Sequence, residues 1–83
     1  MRRSIHSEAY SAFVDLMIEA RKASGMTQAE VAMALGKPQS FVSKYERRER
    51  RLDVVEFVTI ARILRTDPIK MLKVIDGLQT KDG

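Results

Sequence analysis

The sequence predicts an all-α fold, a compact bundle of five short helices. In several stretches, apolar residues recur at the three- and four-residue spacing of one buried helical face. Capping residues and glycines separate these stretches, and none alternates apolar with polar residues as a half-buried strand does. The 83 residues suffice for one core, so we expect a single domain and no second, catalytic domain.

The first predicted helix covers residues 7 to 24. Ser7 is available as its N-cap and Gly25 as its terminator. The apolar residues at helical spacing, which form its buried stripe, are Tyr10, Phe13, Val14, Met17 and Ala20.

Two shorter helices follow, joined by a tight turn. Thr27 and Glu30 form a capping box, in which each side chain accepts from the other residue's backbone amide, so a second helix begins there. Gly36 closes this helix, because glycine tolerates the positive φ that a sharp reversal demands. Pro38 suits the first turn of a third helix, which we expect over residues 38 to 47.

The fourth predicted helix begins near Leu52 or Asp53. It must be contacted on two sides, because its apolar residues cover more than one of its faces. These residues are Val54, Val55, Phe57, Val58, Ile60, Ala61, Ile63 and Leu64.

Asp67 and Pro68 are the N-cap and first residue of a fifth helix, expected over residues 67 to 76. Gly77 should end it, and residues 79 to 83 should form a polar tail. We expect the core within residues 7 to 66, so the fifth helix carries more apolar residues than that core requires. This surplus predicts an exposed strip and a homodimer interface formed by Ile69, Met71, Leu72, Val74, Ile75 and Leu78.

The net positive charge of the chain is confined to residues 37 to 51, since lysines and arginines elsewhere are balanced by acidic residues. Six lysines or arginines stand against two glutamates there, a net charge of +4 that equals the charge of the whole chain. Such a localised patch is typical of a protein that binds a polyanion. The alternative is a charged segment that is only solvated.

One face of the third helix is suited to reading DNA. At about 100° per residue, Val42 and Tyr45 lie on the side opposite a wholly polar face. Glutamine can pair with adenine, lysine with guanine and serine with either base, which is the chemistry of the major groove. A solvated amphipathic face is the alternative, and the turn and the basic patch favour DNA. The polar face consists of Gln39, Ser40, Ser43, Lys44 and Arg47.

The chain resembles the Xre/Cro family of phage and bacterial repressors over about residues 10 to 66. The resemblance rests on the runs MTQAEVA and LGKPQSFVSKYER, then on LD and IARIL, with small Ala32 and Gly36 at the spacing of a helix-turn-helix. It implies a lambda-repressor-like domain whose third helix enters the major groove of double-stranded DNA. It also implies a homodimer on a two-fold operator, in a protein that is not an enzyme.

The resemblance further implies roles for single residues. Gln39, Ser40 and Lys44 would face bases, and Ser43 shares their face. Arg21 and Glu46 would form a structural ion pair. Phosphate contacts would come from Gln28 and, by the charge of the following loop, from Arg47, Arg48, Arg50 and Arg51.

Two positions depart from the family pattern. Lys37 and Pro38 stand where relatives often have an apolar residue and then Ser or Thr, so the third helix lacks a side-chain N-cap. Arg48 stands where many relatives have Gly. Either the backbone there takes a positive φ at a cost of about 1 kcal/mol, or the third helix continues for another turn.

Other chemistry has little support in the sequence. Cysteine is absent and His6 is the lone histidine, so we expect no metal site, no cofactor and no catalytic triad. With no membrane span or signal peptide in the sequence, we expect a cytoplasmic protein. Two alternatives to a repressor remain. One is an antitoxin that uses its apolar C-terminal strip on a toxin, and the other is a protein-interaction module that has lost DNA binding.

Overall fold

The computed structural model describes residues 8 to 82, with side chains through residue 79, and contains five helices and no strand in that range. The predicted all-α bundle is therefore confirmed, while Ser7 and His6 lie outside the described residues. The helices are α1 (Glu8–Ser24), α2 (Gln28–Leu35), α3 (Gln39–Glu46), α4 (Val54–Ile63) and α5 (Pro68–Asp82).

Capping boxes begin α2 and α4. Thr27 Oγ1 accepts from the Glu30 amide at 3.0 Å, and Glu30 Oε1 accepts from the Thr27 amide at 2.8 Å. Asp53 and Glu56 repeat the arrangement at α4, with distances of 2.7 and 2.9 Å. The start of α4 lies where it was predicted, but this second capping box was not, although the pattern Asp-x-x-Glu could have revealed it.

Four helices end with the same reversal, in which a residue at positive φ is followed by an amide that bonds back five residues. Glycine supplies the positive φ after α1 and α2, at Gly25 and Gly36. Arginine supplies it after α3 and α4, at Arg48 (φ 65) and Arg65 (φ 60). Of the two alternatives predicted for Arg48, the positive φ is therefore the one observed, and α3 does not continue for another turn.

The core lies where α3 and α4 meet the other helices. The α2 helix packs on α3 and α4, α1 packs on α3 and α5, and α4 also packs on α5. Tyr45 is fully buried, and its hydroxyl has no hydrogen-bond partner among the described residues. The other fully buried large side chains are Met17, Ile60, Val14, Val31 and Val42.

The fifth helix differs from its prediction in two ways. It runs through Gly77 to Asp82, so the expected end at residue 76 and the polar tail over residues 79 to 82 are wrong. Gly77 does not take a positive φ, and packing of α5 against α1 outweighs the low helix propensity of one glycine. Met71 is also wrong as a dimer residue, because it is buried in this domain's own core.

Candidate nucleic-acid interface

The outer face of α3 is polar and its inner face is locked into the core. Val42 and Tyr45 are fully buried, which fixes the rotation of the helix about its axis. Ser43 is half-buried, and its hydroxyl donates to the Ser40 carbonyl at 3.2 Å. The side chains exposed on the outer face are Gln39, Ser40 and Lys44.

The turn before α3 is tight. Gly36, at φ 71, ends α2, and the Lys37 amide donates to the Ala32 carbonyl at 3.0 Å. Pro38 is the N-cap of α3 and makes no side-chain capping bond, as its residue type requires. Since the turn spans only residues 36 to 38, α2 holds the start of α3 in a fixed position.

A partly buried group of polar side chains, the inner cluster of Arg21, Gln28 and Glu46, holds the end of α3. Arg21 donates two hydrogen bonds to the Glu46 carboxylate, from Nε to Oε2 at 2.7 Å and from Nη2 to Oε1 at 3.1 Å. Its third nitrogen, Nη1, donates to the Met26 carbonyl at 3.1 Å. The hydrogen bond to Glu46 raises the pKa of Arg21. Glu46 is only 7% exposed, so α1 and α3 are joined through a buried charge pair.

Gln28 completes the inner cluster. Its Nε2 donates to Glu46 Oε1 at 2.8 Å, and the residue is half-buried at the start of α2. The residue for which the resemblance implies a phosphate contact therefore also binds the carboxylate that joins α1 and α3. One side chain links the first residue of α2 to the last residue of α3.

The arginine loop, defined as Arg47, Arg48, Arg50 and Arg51, follows α3. Arg47 binds Glu49 with two nitrogens, each at 3.1 Å from a carboxylate oxygen. Arg48 Nη2 donates to Asp15 Oδ1 at 2.7 Å and to the Ser11 carbonyl at 3.2 Å. The first two arginines of the loop are thus paired within the chain.

Aromatic rings contact the other two arginines. Arg50 binds both Glu56 oxygens at 2.9 Å, and its guanidinium lies 4.6 Å from the centroid of the Phe41 ring. The Arg51 guanidinium lies 4.1 Å from the centroid of the Tyr10 ring. Both distances are within the range of a cation–π contact. All four arginines therefore have partners in this chain, although sequence reasoning had assigned them to phosphates.

Hydrogen bonds from arginines shift the acidity of two carboxylates. Arg47 lowers the pKa of Glu49, and Arg50 lowers the pKa of Glu56, with a further contribution from the Asp53 amide. The same bonds raise the pKa of Arg47 and Arg50. These glutamates are ionised at neutral pH and offset part of the positive charge of the loop.

Comparison with known proteins identifies the family. The family model described as helix-turn-helix matches residues 17–70. An XRE-family like protein from Pseudomonas syringae pv. tomato str. DC3000 is 51% identical, with a TM-score of 0.83 over 89% of this chain and 90% of that one. This chain belongs to the Xre family of helix-turn-helix proteins. It is therefore a DNA-binding transcriptional regulator, and the predicted helix-turn-helix is confirmed.

A more distant structure shares the fold. The wild-type restriction-modification controller protein C.Esp1396I is 21% identical to this Xre-family chain, with a TM-score of 0.74 over 87% of this chain and 95% of the controller. No curated protein matches the chain.

Neither a membrane-spanning helix nor a cluster of metal ligands is present in residues 8 to 82. No helix in this range is long and apolar enough to cross a bilayer. No group of three or more acidic, histidine or cysteine side chains in the same range could hold a metal ion.

Proposed function

We propose that this regulator is a repressor that recognises a two-fold operator as a homodimer. The observation that carries the proposal is the division of α3 into two faces. Val42 and Tyr45 are buried without exposed surface, while the amide of Gln39 and the amine of Lys44 lie on the solvent side. A helix held by its back and polar on its front fits the major groove.

Each outward side chain has a matching base. The Gln39 amide can donate to adenine N7 and accept from adenine N6, and Lys44 can donate to guanine O6 and N7. Ser40 is free to serve either base, while the Ser43 hydroxyl already donates to a backbone carbonyl. We assign sequence selection to these four residues. The arginine loop and Gln28 supply contacts to phosphates, which set affinity and register.

A second copy of the chain is the proposed occupant of the apolar face beside α5. Leu72 and Ile75 line a groove with Val54 and Tyr10 between α5, α4 and α1. Ile69 and Val74 on α5 and Val55 on α4 are further exposed apolar side chains outside the groove lining. A domain of this size gains stability by burying such surface, and two copies would present two reading helices to two half-sites about ten base pairs apart.

Lys44→Ala tests base reading. An operator is first identified by selection of bound fragments from random duplexes. Lys44→Ala should weaken binding to this operator by about fivefold to 150-fold, because one good side-chain pair contributes about 1–3 kcal/mol. Random-duplex binding should change much less. Lys22→Ala removes the same charge from the exposed end of α1 and serves as the control. Equal losses on operator and random duplexes would remove Lys44 from the base contacts.

Leu72→Lys tests the dimer. Sedimentation at high micromolar concentration should show a dimer for the unsubstituted chain and a monomer for this variant, because a charge in an apolar interface is costly to bury. Met33→Lys is the control, since Met33 is an exposed apolar residue on α2, away from the groove. A monomeric unsubstituted chain would refute the proposed homodimer.

A further inference from the structure

The Arg47–Glu49 pair lies at the end of the reading face. Arg47 follows Gln39 and Ser43 at four-residue steps, so its side chain begins on the same side of α3, one turn beyond Ser43. Its side chain is 57% exposed and that of Glu49 is 54% exposed. In helix-turn-helix docking the reading helix lies in the major groove, so its flanking residues approach the phosphates. Both partners are therefore accessible to DNA.

The backbone holds Glu49 against Arg47. Residues two apart on a continuing helix would not face each other, but the positive φ of Arg48 reverses the chain between them. The Glu49 amide donates to the Lys44 carbonyl at 2.8 Å, which fixes the position of Glu49 after the reversal. Its carboxylate consequently meets the guanidinium of Arg47 with both oxygens.

A carboxylate and a phosphate compete for the same guanidinium fork. Each offers two oxygens to two parallel N–H groups. An exposed ion pair adds little stability, so a DNA phosphate can displace the Glu49 carboxylate. We infer that Glu49 sets the affinity of this protein for DNA by occupying the Arg47 guanidinium that a phosphate requires. The inference rests on the proposed operator binding.

Glu56 occupies a similar position on Arg50 but has a second role. Its Oε1 also accepts from the Asp53 amide at 2.9 Å, as part of the capping box that begins α4. Among the described residues, the Glu49 carboxylate bonds to Arg47 alone. Of these two glutamates, Glu49 is thus the one that can leave its arginine without opening a helix end.

Glu49→Gln is the test, with Glu19→Gln as the matched control. Both substitutions remove one negative charge from an exposed site, but Glu19 lies on α1. Glu49→Gln should tighten binding to operator and random duplex alike, by about fivefold to tenfold at low salt. In the unsubstituted chain Glu49 competes with a phosphate for Arg47, so only part of the complexes contain the Arg47–phosphate contact. Removal of the carboxylate should therefore steepen the slope of log affinity against log salt by up to about 0.9, the contribution of one phosphate contact.

The same substitution in the Arg47→Gln background separates displacement from simple repulsion. Without the guanidinium, the gain from Glu49→Gln should fall several-fold and the change in slope should disappear. Equal gains in both backgrounds would show that Glu49 acts through its charge alone and would overturn the inference. So would a result for Glu49→Gln that matches Glu19→Gln.

Elution from immobilised heparin separates this inference from the proposed operator. Heparin is a polyanion without base sequence, so its binding reports the basic side chains without any contribution from base reading. Glu49→Gln should elute at higher salt than Glu19→Gln, and only when Arg47 is present. A chain that shows this shift but selects no duplex sequence would refute the proposed operator and support the role of Glu49. Co-elution of the two variants would refute that role.

Discussion

The inner cluster and the arginine loop both contain an Arg–Glu pair gripped at two points, and the two pairs are adjacent in the chain at Glu46 and Arg47. The side chains of Arg21 and Glu46 are 15% and 6% exposed. Those of Arg47 and Glu49 are 57% and 54% exposed. The distances differ by no more than 0.4 Å, between 2.7 and 3.1 Å. Burial therefore separates a pair that joins helices from a pair that can exchange with a ligand.

The physical reason lies in what replaces a lost partner. Water can solvate either member of the exposed pair once it is broken, so little free energy is at stake. Water reaches Glu46 poorly, and a carboxylate left there without arginine keeps the full cost of desolvation. The same kind of contact, an Arg–Glu ion pair, thus stabilises the fold where it is buried. Where it is exposed, we propose that it exchanges its carboxylate for a phosphate.

The largest expected effect comes from breaking the inner pair. Arg21→Met should lower the free energy of unfolding by about 3–5 kcal/mol, because it leaves the buried Glu46 carboxylate with Gln28 as its remaining partner. Arg47→Met should leave the urea midpoint unchanged. Chemical denaturation of both variants measures the difference.

A double variant sharpens this result. Arg21→Met combined with Glu46→Leu removes the buried charge together with its partner. The double variant should therefore lose less free energy of unfolding than the two single variants lose in sum. Losses that simply add would mean that the two side chains do not depend on each other. The comparison between buried and exposed pairs would then fail.

A smaller effect is expected from the two arginines at positive φ. Glycine relieves about 1 kcal/mol of backbone strain at such a position, so Arg65→Gly should stabilise the domain by up to about 1 kcal/mol. Arg48→Gly gains the same relief but loses the bonds to Asp15 and the Ser11 carbonyl. Arg48→Gly should therefore leave the midpoint of thermal unfolding close to that of the unsubstituted chain. Equal stabilisation by both substitutions would show that the Asp15 contact contributes nothing.

Much of the fold follows from local sequence signals. The capping box at Thr27, the glycine at position 36 and the proline at position 38 each specify a backbone conformation. Each helix boundary lies within about a residue of its expected place. The polar and apolar faces of α3 follow from the helical period alone. Local signals were therefore sufficient for the helix-turn-helix.

Features that depend on packing were harder to predict. The length of α5 depends on its contact with α1, which overrides the glycine at position 77. Met71 and Leu72 are neighbours of similar character, yet Met71 is buried and Leu72 is exposed. Sequence spacing gave both as surface residues, because it does not show which side of α5 meets the rest of the domain.

The partners of the arginine loop depend on distant or reversed chain segments. Arg48 reaches Asp15 across 33 residues, and Arg47 meets Glu49 because the chain reverses between them. A tally of charges along residues 37 to 51 counts every arginine as available to DNA. The structure shows instead that each already contacts a carboxylate or a ring.

The buried hydroxyl of Tyr45 makes the stability of the domain sensitive to high pH. Burial, and secondarily the charge of Glu46, raises the pKa of this phenol above its ordinary value of 10.0. The folded state therefore favours the protonated phenol. This contribution to stability is complete while the pH is below the ordinary pKa of tyrosine, and it is lost as the pH rises above that pKa. Strong base should consequently lower the free energy of unfolding by ionising Tyr45, the residue that anchors the back of the reading helix.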